Sequence, residues 1–253
     1  MSGAPRLAVI ALEGLPEVTE SDDLGALLAG AAPEDLGDGD LLVVAHKVVS
    51  KSEGRVRALA AVVPSARARE LAEPHGKDPR VVQVVLDEST EILRAERGVI
   101  VSRTRHGLVC ANAGVDASNA ARPDEVILLP VDPDASARAL RRSIAAVRGV
   151  RPAVLVTDSF GRAWRLGQVD VAIGVAGLVP LDDWRGLTDS HGRPLTATVI
   201  AVADAAAAAA DLARTKDSAD PAVLVRGLGR YVSAEDGAGA GALRRPPEED
   251  LFL

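Results

Sequence analysis

The chain has 253 residues, 47% of them hydrophobic but only 2% aromatic, and a formal charge of −7. An acidic chain with so few aromatic side chains lacks both the basic footprint and the stacking platforms that nucleic acids require, so nucleic acid is excluded as a partner. Its one cysteine, Cys110, rules out an intrachain disulfide. No uncharged apolar run approaches the ~20 residues of a membrane helix, and a soluble, cytoplasmic protein is expected.

Runs rich in Val, Ile and Leu predict strands at 6–12, 40–50, 98–103, 107–111, 125–130, 153–158, 169–177, 195–203 and 222–227. The first, RLAVIAL, leads straight into acidic residues and reads as a first strand, not a signal peptide. SDDLGALLAG follows as a helix, with Ser21 as its cap and acids in its first turn. The run 40–50, DLLVVAHKVVS, reads as a single strand, and alternation places Lys47 and Lys51 on one face. PSARARELAEP (64–74) and DPRVVQVVLDES (78–89) are short amphipathic helices. DPDASARALRRSIAAVRG (132–149) is the clearest helix, with acids at its start and Gly149 as its stop. DAAAAAADLAR (204–214) reads as an alanine helix capped by Asp204 and packed closely on a sheet. Strands from 98 to 130 succeed one another without helices, so the fold class is α+β, with mixed and antiparallel sheets and packed helices. Residues 1–232 form the domain. Residues 233–253, rich in Gly, Ala, Pro and charge, are expected to be a flexible tail or the start of a linker.

The chemistry gathers at three places. The strand GLVCA delivers Asp116 a few residues beyond its end, within NAGVDASNA, and AVLVT delivers Asp158 directly, followed by Ser159. Carboxylates with hydroxyl and amide oxygens suit a hard cation such as Mg²⁺ or Mn²⁺, and the small residues around Asp116 leave room for phosphate oxygens near the backbone. An Asx turn, Asp or Asn bonding its own backbone, is the plainer reading of either segment alone. HKVVSKSEGR brings His46, Lys47, Lys51 and Arg55. Its two lysines are either point charges for phosphate or guards on a solvated strand edge. Arg162 and Arg165 fit an anionic substrate, or an ion pair with Asp170 or Asp182. There is no Walker A sequence, no GxGxxG after the first strand and no GxSxG, and the four histidines lack ligand spacing.

Six ordered segments are together more specific than any one. EGLPEV (13–18), HKVVSKSEGR (46–55), NAGVDASN (112–119), ILLPVDPD (127–134), TDSFGRAWRLGQVDVAIGVAGL (157–178) and AVLVRGL (222–228) resemble the coenzyme F420-0:L-glutamate ligases. The wording HKVVSK and DSFGRAWR is similar to the bacterial branch, where this domain often precedes a flavin-reductase-like one. The resemblance implies the F420 γ-glutamyl ligase fold in an intertwined homodimer, and a GTP-dependent acid–amino-acid ligase. GTP phosphorylates the terminal carboxylate of F420-0, the amine of L-glutamate displaces phosphate from the acyl phosphate, and further glutamates join by γ-linkages. It also implies catalytic roles for Asp116, Asp158 and Lys51, and two divalent ions, Mg²⁺ or Mn²⁺, held by Asp116, Asp158 and Ser159, with K⁺ as a further ion. GTP contacts are implied at Leu15, Pro16, Glu17, Val18, His46, Lys47, Lys51, Asn119 and Lys216. The loop before the last strand, ARTKDSADPA (213–222), departs from the family in having no glycine, and Lys216 and Asp217 stand in its place. A metal-dependent phosphohydrolase and a non-catalytic GTP- or F420-binding protein are the competing readings of the same residues.

Overall fold

Segments such as LLVV and AVLV, apolar at every position, can be buried only in a sheet covered on both faces. The computed structural model, which describes residues 6–214 and 219–250, contains such a sheet. In chain order the elements are β1 (Ala8–Ala11), α1 (Leu24–Ala31), β2 (Leu41–Ala45), α2 (His46–Ser52), β3 (Val56–Ala58), α3 (Ala66–Ala72) and α4 (Pro79–Glu88). There follow β4 (Ser89–Glu96), β5 (Val99–Thr104), β6 (Val109–Ala111), β7 (Glu125–Ile127) and α5 (Pro133–Arg148). The chain continues with β8 (Ala153–Arg162), β9 (Arg165–Ala176), β10 (Leu181–Asp183), β11 (Val199–Ala201), α6 (Val202–Asp211) and β12 (Ala222–Arg226).

The central sheet has the order β1-β12-β2-β8-β9, and only its β2–β8 pair is parallel. Strand alternation sorts its residues cleanly. Leu42, Val44, Val154, Val156 and Leu224 join Leu28 of α1 and Leu140 and Ile144 of α5 in one core. Leu41, Val43, Leu155, Val223 and Val225 join Ala203, Ala206 and Ala210 of α6 in the other. A separate core built on Val82, Val85, Ile100 and Val126 holds α4 against β5 and β7. The class expected from the sequence, α+β with mixed and antiparallel sheets, is the one observed. Among the described residues no helix is long and apolar enough to cross a membrane.

Helix α5 shows how local chemistry fixes this frame. Asp132 caps it by accepting the Ala135 N–H at 2.9 Å, and Gly149 ends it at φ 69°. Its Arg148 donates to the carbonyls of Ala29, Ala32, Pro33 and Glu34, closing the otherwise unsatisfied end of α1. Strand β9 crosses α5 so closely that a Cβ on Gly174 would lie 2.2 Å from the Pro133 carbonyl oxygen.

Several expectations change. Residues 40–50 are not one strand, because the pairing of β2 with β12 ends at Val44 opposite Ala222. The last ladder pair of β2 is Ala45 with Thr157 of β8, and from His46 on the chain bonds to itself as α2. Helix α1 is capped by Asp23, which accepts the Ala26 N–H at 3.0 Å, and not by Ser21. The run 195–203 divides between β11 and α6, so Asp204 lies inside the first turn of α6. Its carboxylate accepts the Ala172 N–H at 2.9 Å instead of capping. Residues 233–243, read from composition as part of a loose tail, are docked. The Ser233 N–H donates to Gly177 at 2.8 Å, and the Gly177 N–H returns a bond to Asp236 at 2.9 Å. Fully buried Arg141 donates to the carbonyls of Ser233, Ala234 and Glu235 and, at 2.9 Å, to the Asp236 carboxylate. A Gly/Ala-rich segment has few side chains to pack but many carbonyls to offer, and one guanidinium collects them.

Candidate active site

The handover from β2 to α2 at Ala45 is where the chemistry converges. Residues 15–18 ahead of α1, residues 119–121, Thr157 to Ser159 of β8 and the chain leading into β12 meet α2 around a cavity of about 600 Å³. The lysines sit one turn apart on α2, so helical spacing keeps on one side what strand alternation was expected to align. Lys51, only 9% exposed, donates to Glu17 Oε1 at 2.5 Å. Lys47 Nζ lies 2.7 Å from Asp116 Oδ2, 2.6 Å from Ser118 Oγ and 3.1 Å from Asn119 Oδ1.

Asp116 is fixed twice over. Its backbone exchanges both hydrogen bonds with Ile127, and its carboxylate accepts the Ser118 N–H at 2.7 Å and the Ser118 hydroxyl at 2.8 Å. The Asx turn read from the sequence is therefore present, and it serves the site by setting the carboxylate against Lys47. Burial works to raise the Asp116 carboxyl, but Lys47 and the Ser118 N–H and hydroxyl outweigh it and hold the group below its ordinary value. The small residues before it serve the backbone: Asn112, Ala113 and Gly114 have φ of 51°, 54° and 70°, and a Cβ on Gly114 would come within 2.7 Å of Leu129. Of the small residues around Asp116, Ala120 and Ala121 line the cavity.

Asp158 stands mid-strand in β8, not at a strand end. Its Oδ1 accepts the Ser159 N–H at 2.8 Å and faces His46 Nε2 at 3.3 Å. His46 is buried, and its Nε2 has no hydrogen-bond partner among the described residues because the approach to Asp158 is off the hydrogen-bond direction. Behind Asp158, burial and the nearby carboxylate push the Cys110 thiol up to about 12. One further cluster closes the wall. Asp170 of β9, opposite Ser159 in the ladder, accepts the Thr157 hydroxyl at 2.8 Å, the Ser159 hydroxyl at 2.7 Å and the Arg214 guanidinium.

Of the residues proposed from the sequence, Leu15, Pro16, Glu17, Val18, His46, Lys47, Lys51, Asn119, Asp158 and Ser159 line this cavity. Asp116 is not on its wall and reaches it through Lys47. Lys216 and Asp217 lie outside the described residues. Arg162 and Arg165 are at the exposed tip of the β8–β9 hairpin, away from the acids considered for them. Asp170 pairs with Arg214, and Asp182 accepts the Tyr231 hydroxyl at 2.9 Å. Thr157, Asp170, Asp211, Arg214 and Asp220 are polar wall residues to which sequence reasoning gave no part in the site. A turn at Ala163 and Trp164 by itself would set Ser159 opposite Gln168; the register shift between Gly161 and Arg162 moves the partner to Asp170, and that shift had no local signal. Arg214 arrives from the far end of α6 and had none.

The donors suit a small divalent cation in kind. Asp158 and Ser159 offer oxygens on the wall, Asp116 offers another beside it, and the buried His46 nitrogen adjoins Asp158. Among the described residues no cluster of three His, Cys, Asp or Glu forms a complete ligand cage. Mg²⁺ does not need one, since one or two carboxylates with substrate phosphates and water suffice.

The model of the F420-0:gamma-glutamyl ligase family matches residues 14–227, a span that contains every segment lining the cavity up to Pro221. The chain belongs to this family. A coenzyme F420:L-glutamate ligase of Methanopyrus kandleri is 45% identical over 254 residues, covering 100% of both chains. The ligase of the same name from Methanothermobacter thermautotrophicus is 44% identical over 97% of this chain and 98% of its own. That of Haloarcula marismortui is 44% identical over 97% and 95% respectively. These relatives are archaeal, whereas the wording of HKVVSK and DSFGRAWR was read as similar to the bacterial branch.

Proposed function

We propose that the protein is a GTP-dependent ligase that joins L-glutamate to coenzyme F420-0, and then adds further glutamates by γ-linkages. The observation that carries this is the pair of lysines on α2, each lying against a carboxylate where a phosphate oxygen would serve equally well: Lys51 on Glu17 and Lys47 on Asp116. A triphosphate in the cavity takes over those ammonium groups. The names of the full-length relatives supply the glutamate and F420 chemistry.

A terminal carboxylate oxygen of F420-0 attacks the γ-phosphorus, and GDP leaves. The glutamate amine then attacks the acyl carbon, losing a proton as phosphate departs. Lys51 and Lys47 hold the phosphates as point charges, and Asn119 and residues 15–18 position the nucleotide. Asp116, Asp158 and Ser159 would hold divalent Mg²⁺ or Mn²⁺, with K⁺ as an accessory ion. Such ions neutralise the charge that builds on the transferring phosphoryl group. The wall of the cavity keeps water from the acyl phosphate, which would otherwise hydrolyse. Two copies pair as a homodimer.

Mass spectrometry of F420-0 incubated with GTP, Mn²⁺ and L-glutamate tests the proposal. A gain of one glutamyl unit with GTP converted to GDP is the expected result. GTP loss without that gain overturns it in favour of a phosphohydrolase, and binding of GTP or F420-0 without turnover overturns it in favour of a binding protein.

A further inference from the structure

A second, smaller cavity of about 250 Å³ lies where the β5–β6 turn, the start of α5, β9 and the docked C-terminal segment meet. The turn is held rigidly: the Thr104 N–H donates to the Leu108 carbonyl at 2.8 Å, and the Thr104 hydroxyl accepts the Leu108 N–H at 3.1 Å. At its tip His106 Nε2 donates to the carbonyls of Pro130 at 2.8 Å and Val131 at 3.1 Å. A carbonyl only accepts, so Nε2 carries the proton and the neutral ring adds no charge to the cavity. Two acids border the space, and both are engaged. Asp134 Oδ1 accepts the N–H groups of Val175 and Ala240, each at 2.8 Å. Asp132 Oδ1 caps α5, and its Oδ2 lies 3.8 Å from Arg138. The two cations of the wall have donors to spare. Arg105 spends one Nη on the Asp87 carbonyl. The Arg244 guanidinium has no hydrogen-bond or ion-pair partner among the described residues, yet packing defines its place. Its Nη1 lies 3.3 Å from where a Cβ on Gly107 would stand and its Nη2 2.9 Å from that of Gly241, so two glycines leave the slot it occupies. Each guanidinium offers five N–H donors in one plane, a fork that matches a carboxylate. Leu108, Val131 and Ile173 complete the wall with aliphatic surface.

We propose that this cavity is a binding site for a small dicarboxylate of the size of glutamate, separate from the catalytic cavity. Arg105 and Arg244 each take one carboxylate, and the aliphatic wall covers the short stem between them. Unspent donors on two forks select an anion, and two of them facing one space select an anion with two acidic groups. The volume sets the size: pockets for drug-sized ligands begin at about 300 Å³, so this one suits a molecule no larger than an amino acid. Because Arg105 belongs to the β5–β6 turn and Arg244 follows the docked segment, a bound dicarboxylate ties the two together. The site goes beyond the ligase reading and does not depend on it.

The test is calorimetric titration of the whole protein with glutarate, which has two carboxylates and no amine to be ligated, with and without GDP. One glutarate is expected to bind, with an affinity that GDP and Lys51→Ala leave unchanged. Arg244→Ala and Arg105→Ala should each weaken it about 10-fold or more, the usual cost of losing hydrogen bonds to a charged group. Both side chains are exposed, so neither change is expected to disturb the fold. Propionate, with a single carboxylate, should bind at least about 10-fold more weakly than glutarate. Absence of glutarate binding at millimolar concentration, or wild-type affinity in Arg244→Ala, overturns the site. Competition by GDP does so too, since it puts the probe in the catalytic cavity. Inorganic phosphate that binds more tightly than glutarate, and is lost in Arg244→Ala, overturns the dicarboxylate in favour of a single phosphate-type anion. The glutamylation assay on F420-0 is read separately, so failure here leaves the ligase reading standing.

Discussion

Lys47 and Asp116 are bonded to each other at 2.7 Å, and the proposed chemistry needs them to part. Half-exposed ion pairs are worth only about 0–1 kcal/mol, so the exchange of Asp116 for phosphate on Lys47 is energetically easy. Asp116→Asn is accordingly expected to lower kcat by at least about 100-fold while shifting the melting temperature little, as kinetics and thermal denaturation of one preparation would show. Lys51→Ala should raise the KM for GTP by about 10-fold or more and leave that for glutamate nearly unchanged; a larger effect on glutamate would contradict a phosphate role. Cys110 gives a pH prediction. Its folded pKa is raised from the ordinary 9.0 to about 12, so below 9.0 the thiol is protonated in both states and contributes no slope. Between 9.0 and 12 the unfolded chain has lost the proton that the folded chain keeps, and stability falls as pH rises. The limiting slope is about 1.4 kcal/mol per pH unit. Denaturant melts should show Cys110→Ala to be less sensitive than wild type over that range, and the native thiol should resist alkylation until the chain unfolds.

At the scale of elements, the close crossing of β9 over α5 predicts that Gly174→Ala destabilises the fold, because the new Cβ meets the Pro133 carbonyl oxygen at 2.2 Å. A loss of roughly 1–3 kcal/mol, or about 2–12 °C in melting temperature, is expected for the backbone shift required. Helices with a periodic apolar face and a cap were legible in the sequence: α4 and α5 begin after Asp78 and Asp132, as their DP-initiated sequences indicate. The β2–α2 boundary was not legible, since AHKVVS is apolar enough for either structure and only the ends of the β12 and β8 ladders decide between them. β4 was missed because STEILRAE is largely exposed and lacks a clean alternation, with two register irregularities against β5. The candidate site followed the same division. His46, Lys47, Lys51, Asp158 and Ser159 are near neighbours along the sequence of motifs that can be read directly. Arg214 meets Asp170 across 44 positions, and such pairing depends on how α6 lies on the sheet, which no local pattern encodes.

For the whole molecule, Arg141 joins the docked 233–243 segment to α5 and to the carbonyls of Arg151 and Pro152. Arg141→Leu strands several buried carbonyls and leaves Asp236 with Arg151 alone, and a loss of about 1–3 kcal/mol is expected. Limited proteolysis should then cut near Ser233 before the rest of the chain, and unchanged protection there would show that the segment is held by something else. The protein also sends two hairpins into solvent, β8–β9 and β10–β11, carrying Trp164 at 83%, Leu166 at 95% and Leu187 at 52% exposure. If the proposed homodimer uses the first of them, Leu166→Asp should shift light-scattering mass toward the monomer. Those hairpins hold both tryptophans of the chain, Trp164 on one and Trp184 on the other, while the interior is packed almost wholly from aliphatic residues. Indole emission will therefore watch the periphery: it can change when the arms are covered, while in a cooperative transition its amplitude should be small and its midpoint the same as that of far-ultraviolet dichroism.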